Sequence, residues 1–135
     1  MEQSPWNIQW NNRLAFGIPE LDDEHRELAI LSNDLNGAIR KGAGASELNE
    51  LMKVILDRAQ AHFSHEEAML TEAEYPLRKG HHLLHEQLSS ELQHVRTQVT
   101  GDISSDLLRE YGLLVRQLIE EHFVAETNLY KEFVV

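Results

Sequence analysis

Apolar positions recur at alternating spacings of four and three along four segments of the chain. In the first, Leu21, His25, Leu28, Ser32, Leu35 and Ile39 share one face, which predicts an amphipathic helix over about 20–41. Gly42-Ala43-Gly44-Ala45 then reads as a loop. A second helix over about 46–72 follows, with Ser46 as a candidate cap and Leu48, Leu51, Ile55, Ala59, His62, Glu66 and Met69 facing inward. Tyr75-Pro76 breaks the chain, and Pro76 suits the first turn of a third helix over about 76–99. Its face is Leu77, His81, Leu84, Leu88, Leu92, Val95 and Val99. Thr100-Gly101-Asp102 closes it, and Ser104 or Ser105 caps a fourth helix over about 105–132. That helix presents Leu107, Tyr111, Leu114, Leu118, His122, Ala125 and Leu129. No stretch alternates with period two for long enough to build a sheet. Long helices joined by short connections predict an all-α, up-down-up-down four-helix bundle. Residues 1–19, with Trp6, Trp10, Phe16, Gly17 and Pro19, read as an extended arm along it.

Composition narrows the picture. A chain of 135 residues suits one domain. Twelve basic against 23 acidic residues leave a net charge of −11. Such a surface repels phosphate backbones and anionic lipid, so neither nucleic acid nor a membrane is the expected partner. There is no cysteine, which removes disulfides, thiolate zinc sites, iron–sulfur clusters and cysteine nucleophiles together. Met1 to Trp10 has neither the basic region nor the apolar core of a secretory signal, and no apolar run reaches bilayer length. The expected setting is the cytoplasm.

The eight histidines are the unusual count. His25, His62, His81 and His122 occupy inward positions where a small bundle wants Leu or Ile. Glu66 stands four residues after His62 and His85 four after His81, so each pair lies about 40° apart around its helix and projects into the same space. In an antiparallel bundle His25 and His81 lie near helix starts, His62 and His122 near helix ends, all at one end of the molecule. A lone histidine on an apolar face is more often a hydrogen-bonded core residue than a ligand. Five with a glutamate are different, because each buried polar group left unpartnered costs about 1–3 kcal/mol and a domain has only about 5–15 kcal/mol in hand. A metal satisfies the whole set. Imidazole and carboxylate suit iron, zinc, copper or nickel, but the donors exceed the four of a structural zinc and suit two octahedral ions, with iron favoured. His65 and His82 flank these positions and are expected to point away, and His94 to face solvent.

The same residues resemble the hemerythrins, in particular single-domain bacterial ones, over nearly the whole chain. Trp10 and Gly17 match the family's tryptophan and glycine ahead of the first ligand. Leu21-Asp22-Asp23-Glu24-His25 is similar to its I-D-x-Q-H start, and His62 to Met69 to H-F-x-x-E-E-x-x-M. Tyr75-Pro76 with His81 and His85 matches Y-P-x4-H-x3-H, and His122 to Tyr130 resembles H-x4-D-x2-Y. The resemblance implies two non-haem iron ions with an oxo or hydroxo bridge. One would be held by His81, His85 and His122, the other by His25 and His62, with Glu66 bridging. The second iron would keep an open position for dioxygen. One departure matters: the family's second bridging carboxylate is an Asp five residues after the last histidine, and Thr127 stands there. Glu126, one residue earlier and four after His122, is the expected replacement.

Ferritin-like di-iron oxidases surround their metals mostly with glutamates. An imidazole-rich set donates less charge, which favours holding dioxygen over cleaving it, behind an apolar lining for which Leu28, Leu84, Leu88, Leu118 and Phe123 are candidates. The expected function is reversible dioxygen binding for storage, delivery or sensing, by a monomer served by a reductase. The alternatives are a di-iron enzyme of peroxidase or nitric oxide reductase type, and a regulatory bundle that a metal staples together.

Overall fold

The computed structural model describes residues 7, 8 and 18–133, with side chains described through residue 128. Trp6, Trp10, Phe16 and Gly17 of the expected arm lie outside the described residues, as do the side chains of Leu129 and Tyr130. Four helices make up an all-α bundle: α1 Pro19–Arg40, α2 Ala45–Glu72, α3 Arg78–Gln98 and α4 Ser105–Phe133. Among the described residues no helix is long and apolar enough to cross a membrane.

The ends of the helices follow local chemistry. Pro19 opens α1, where its missing N–H costs nothing, and Glu20 and Asp22 in the first turn suit the positive end of the helix dipole. Gly42 ends α1 at φ 81°, which lets the Ala43 N–H reach back to the Ala38 carbonyl at 3.0 Å. The same closure ends α2, where Tyr75 N–H meets Leu70 O at 2.9 Å, but the left-handed residue there is Glu74 at φ 56°. Of the three expectations about helix starts, two change and the third holds. Gly44, not Ser46, precedes α2, and no side chain caps it. Pro76 lies in a turn ahead of α3, because the Tyr75 carbonyl is taken by the Arg78 N–H at 3.3 Å and its guanidinium at 2.9 Å. Ser104 is the cap of α4, its Oγ accepting from Leu107 N–H at 3.1 Å.

Short connections make consecutive helices antiparallel. α1 packs against α2 and α4, α2 against α3, and α3 meets α4 only sparingly. Asn7 and Ile8 are pinned across this frame: Ile8 exchanges two hydrogen bonds with the Asn33 amide, and Arg116 donates to the Asn7 carbonyl at 3.1 Å. α1 comes close to α4 where Asn36 donates to the Gly112 carbonyl at 3.1 Å and a Cβ at residue 112 would lie 2.2 Å from Asn36 Oδ1.

The apolar core is divided. The main cluster includes Leu28, Leu35, Met52, Ile55, Phe63, Leu92, Val115, Ile119 and Phe123. A small one, Leu21 and Leu70 with Ile18, Met69 and Tyr75 against them, closes one end. Leu21 stands one turn before His25 and Leu70 one turn after Glu66, so the layer between the two clusters is where the polar inward residues fall.

Two expected faces differ, α3 at two positions and α4 by a rotation of one residue. On α3 the buried residues are His81, His85, Leu92 and Val95. Leu84 is 61% exposed and Leu77 is also exposed, so Leu84 lines nothing and Leu88 is only half-buried. On α4 the centre of the face runs through Gly112, Val115, Ile119, Phe123 and Glu126. Leu107, Leu114 and Ala125 are exposed, while Tyr111, Leu118 and His122 sit at its edge. One position, about 100° of helix rotation, separates two apolar stripes of similar strength there.

Candidate metal centre

The polar layer is built from all four helices. α1 supplies His25, α2 supplies His62 and Glu66, α3 supplies His81 and His85, and α4 supplies His122 and Glu126. Six of the seven are buried, with Glu66 0% and Glu126 1% exposed, and His122 is nearly so. Each histidine brings its Nε2 to the layer. His25 and His62 hold their Nε2 atoms 2.9 Å apart. His62 Nε2 lies 3.4 Å from Glu66 Oε2, and His85 Nε2 lies 3.1 Å from Glu66 Oε1 and 3.2 Å from Glu126 Oε1. His81 Nε2 contacts Glu66 Oε1 and is 3.1 Å from Glu126 Oε2, while His122 Nε2 is 2.7 Å from Glu126 Oε1.

Proximity here is not the same as hydrogen bonding. Glu66 Oε2, Glu126 Oε2 and His122 Nε2 are buried without a hydrogen-bond partner, although oppositely polar atoms stand within a few ångströms of each. Their lone pairs are aimed at shared space instead of at one another. Each such orphan costs about 1–3 kcal/mol, and cations in that space would satisfy all three. Two overlapping sets have every ligand atom within 4.8 Å of the others: His25, His62, Glu66 and His122, and Glu66, His85, His122 and Glu126. Glu66 and His122 belong to both. The donors, imidazole nitrogen and carboxylate oxygen, therefore fit iron in number and kind.

Charge in the layer runs the way cation binding requires. Burial pulls the His81 and His85 imidazoles down, but close contact with Glu126 and Glu66 and the charge of both outweigh it and push them up to about 10 and about 9. His62 moves the same way, burial opposing and Glu66 and Glu24 prevailing. Burial pushes both carboxyls up and Glu126 adds to this for Glu66, yet His62, His81 and His85 hold Glu66 below the usual range, and Glu66 with His122 and His81 holds Glu126 well below it. Without cations Glu66 and Glu126 are thus carboxylates facing protonated His81 and His85, and protons stand where metal charge would stand.

Thr127 takes no part in the layer. It is buried, and its hydroxyl donates to the Phe123 carbonyl of its own helix at 2.8 Å. Glu126 turns inward in its place. The two His-Phe pairs do a second job: Phe63 stacks on His85 and Phe123 on His25, ring centroids 4.2 Å apart in both. These phenyl rings fix two imidazole planes and separate the layer from the main core.

Further out, His65 and His82 do not reach the layer but are not idle. His65 Nδ1 donates to Glu24, which also accepts from His62, and His82 Nδ1 donates to Glu67, which also accepts from His85. The acidic partners Glu24 and Glu67 were not among the expected site residues. Their only signal in the sequence is adjacency, each one residue from an inward His or Glu. His94 is exposed, as expected.

The chain is similar to known cation-binding proteins. The family model of the hemerythrin HHE cation binding domain matches residues 17–134. The bacteriohemerythrin of Pseudomonas aeruginosa PAO1 is 27% identical over 114 residues, covering 83% of this chain and 72% of its own. That of Stenotrophomonas maltophilia is 29% identical over 102 residues, covering 74% and 66%. That of Campylobacter jejuni 81116 is 27% identical over 121 residues, covering 90% and 86%. No solved structure matches the chain significantly.

Proposed function

Because the chain belongs to the hemerythrin family, whose domain binds cations, we propose that it is a non-haem di-iron protein that binds dioxygen reversibly. The observation that carries this reading is the convergence of five imidazole Nε2 atoms on two buried carboxylates whose outer oxygens lack hydrogen-bond partners. His81, His85 and His122 would hold one iron and His25 and His62 the other, with Glu66 and Glu126 shared between them. The grouping agrees with His122 standing nearer to His85, 5.3 Å between ring centroids, than to His25 or His62 at 6.1 Å. Two iron ions in a mainly imidazole set supply reversible dioxygen binding, since neutral donors stabilise high oxidation states less than carboxylates do.

The chain's own part is positioning and exclusion. Phe63 and Phe123 hold two rings in plane. Leu21 and Leu70 close the layer on the side away from the main core and keep bulk water from it. Glu126 supplies the second negative charge that Thr127, whose hydroxyl is spent on its own helix, does not.

The test is oxygen cycling. Protein loaded with iron(II) under nitrogen should develop a visible absorption on exposure to dioxygen and lose it under vacuum, over repeated cycles. Steady consumption of dioxygen with no such species, or bleaching that vacuum cannot reverse, contradicts the proposal.

A further inference from the structure

Two carboxylates outside the polar layer each span one inner and one outer histidine. Glu24 on α1 accepts from His62 Nδ1 through Oε1 and from His65 Nδ1 through Oε2, both at 2.7 Å. Glu67 on α2 accepts from His85 Nδ1 through Oε2 at 3.2 Å and from His82 Nδ1 through Oε1. The side chains of Glu24 and Glu67 are 31% and 27% exposed, against 1% and 3% for His62 and His85. The outer rings are anchored in turn, His82 Nε2 to Glu86 at 2.9 Å and His65 Nε2 within 3.7 Å of Glu20. The same device therefore appears on two helix pairs, once for a histidine of each candidate pocket.

The chemistry of imidazole gives the device a purpose. A neutral ring carries one N–H, and only the other nitrogen can offer a lone pair to a metal. An isolated imidazole favours hydrogen on Nε2, the wrong atom for a site that uses Nε2. A carboxylate accepting at Nδ1 fixes the opposite tautomer, sets the ring plane and raises the basicity of the ligand nitrogen. Ion pairs at the surface are screened by solvent, so the outer contacts with His65 and His82 do little for the fold. What they do is stop each carboxylate from swinging into solvent.

We propose that Glu24 and Glu67 are positioning residues of the metal centre, holding His62 and His85 as Nδ1–H tautomers, with His65 and His82 locking the two carboxylates in place. The proposal rests on the metal-centre reading above. Glutamine in place of either glutamate keeps a carbonyl oxygen that accepts the Nδ1–H, whereas leucine keeps the bulk and removes the acceptor.

Wild-type protein and the variants Glu24→Gln, Glu24→Leu, Glu67→Gln and Glu67→Leu are loaded with iron(II) under nitrogen, and iron loss to an excess of a colorimetric chelator is followed. Leucine should speed the loss about 10–100-fold, for one of the two irons in each case, and glutamine should restore most of the retention. Helicity and melting of the metal-free variants, measured alongside, separate a packing defect from loss of the metal ligand's support. Leucine variants that keep iron as wild type does, or glutamine variants that lose it as fast as leucine ones, overturn the inference while leaving the metal centre standing. Failure of the wild type to hold iron overturns the metal centre itself.

Discussion

Glu126→Gln tests which of two neighbouring positions, 126 or 127, serves the polar layer. In the metal-free protein Glu126 lies 2.7 Å from His122, 3.1 Å from His81 and 3.2 Å from His85, with its side chain fully buried. Neutralising it leaves imidazolium without its counter-charge, and breaking a buried pair in this way costs about 3–5 kcal/mol. Unfolding entropy is about 2.1 cal/mol/K per residue. For 135 residues, the loss then corresponds to a fall in melting temperature of about 10–18 °C for the metal-free protein at pH 7. Thr127→Val keeps the volume and removes a hydroxyl bonded only to the Phe123 carbonyl of its own helix, so a shift of a few degrees at most is expected. Differential scanning calorimetry of both metal-free variants, with iron per chain measured after loading, makes the comparison. A Glu126→Gln protein that melts within about 2 °C of wild type and loads iron normally would refute the placement of Glu126 in the layer.

The sequence showed the donors better than the surfaces around them. Every expected inward residue of α1, from Leu21 to Ile39, is buried, because a 4-3 spacing with no competing stripe leaves one way to pack. α4 has Leu at 107, 108, 113, 114 and 118 besides Val115 and Ile119, so two neighbouring stripes compete, and periodicity alone does not choose between them. Packing against α1 chooses, through Gly112 and Asn36. On α3 Leu77 and Leu84 misled: His81 and His85 mark the buried face there, and these two leucines are exposed. The end of α1 was legible from Gly42, whereas the end of α2 rests on Glu74 in a conformation that glycine usually supplies. Glu24 and Glu67 were invisible because a glutamate in a strongly acidic chain carries no signal until the fold sets it against a ring nitrogen.

Three further outcomes are expected. His81 and His85 are raised to about 10 and about 9 in the metal-free fold, so the stability they add is complete below pH 6.5 and drains away as pH rises through 9 and 10. Urea titrations of chelator-treated protein should show falling stability across that alkaline window, and a flat profile would contradict the pairing. The first half of α3 is held inward by His81 and His85 with Leu88 half-buried, so removing metal should raise amide exchange there before it does so in α1. Uniform exchange after confirmed metal loss would argue against that dependence. Gly112→Ala places a Cβ 2.2 Å from Asn36 Oδ1 and forces a buried amide off its bonds to the Ser32 and Gly112 carbonyls. A loss of about 1–3 kcal/mol is expected, and an alanine variant as stable as wild type would show that α1 and α4 approach less closely.

Whether one buried layer, fed by all four helices, holds two metal ions is decided by counting iron per chain, by elemental analysis after anaerobic loading with iron(II) and removal of excess. Two irons are expected in the wild type, with preferential loss of one in His25→Ala or His62→Ala and of the other in His81→Ala or His85→Ala. One iron or none in fully folded wild-type protein would contradict that expectation.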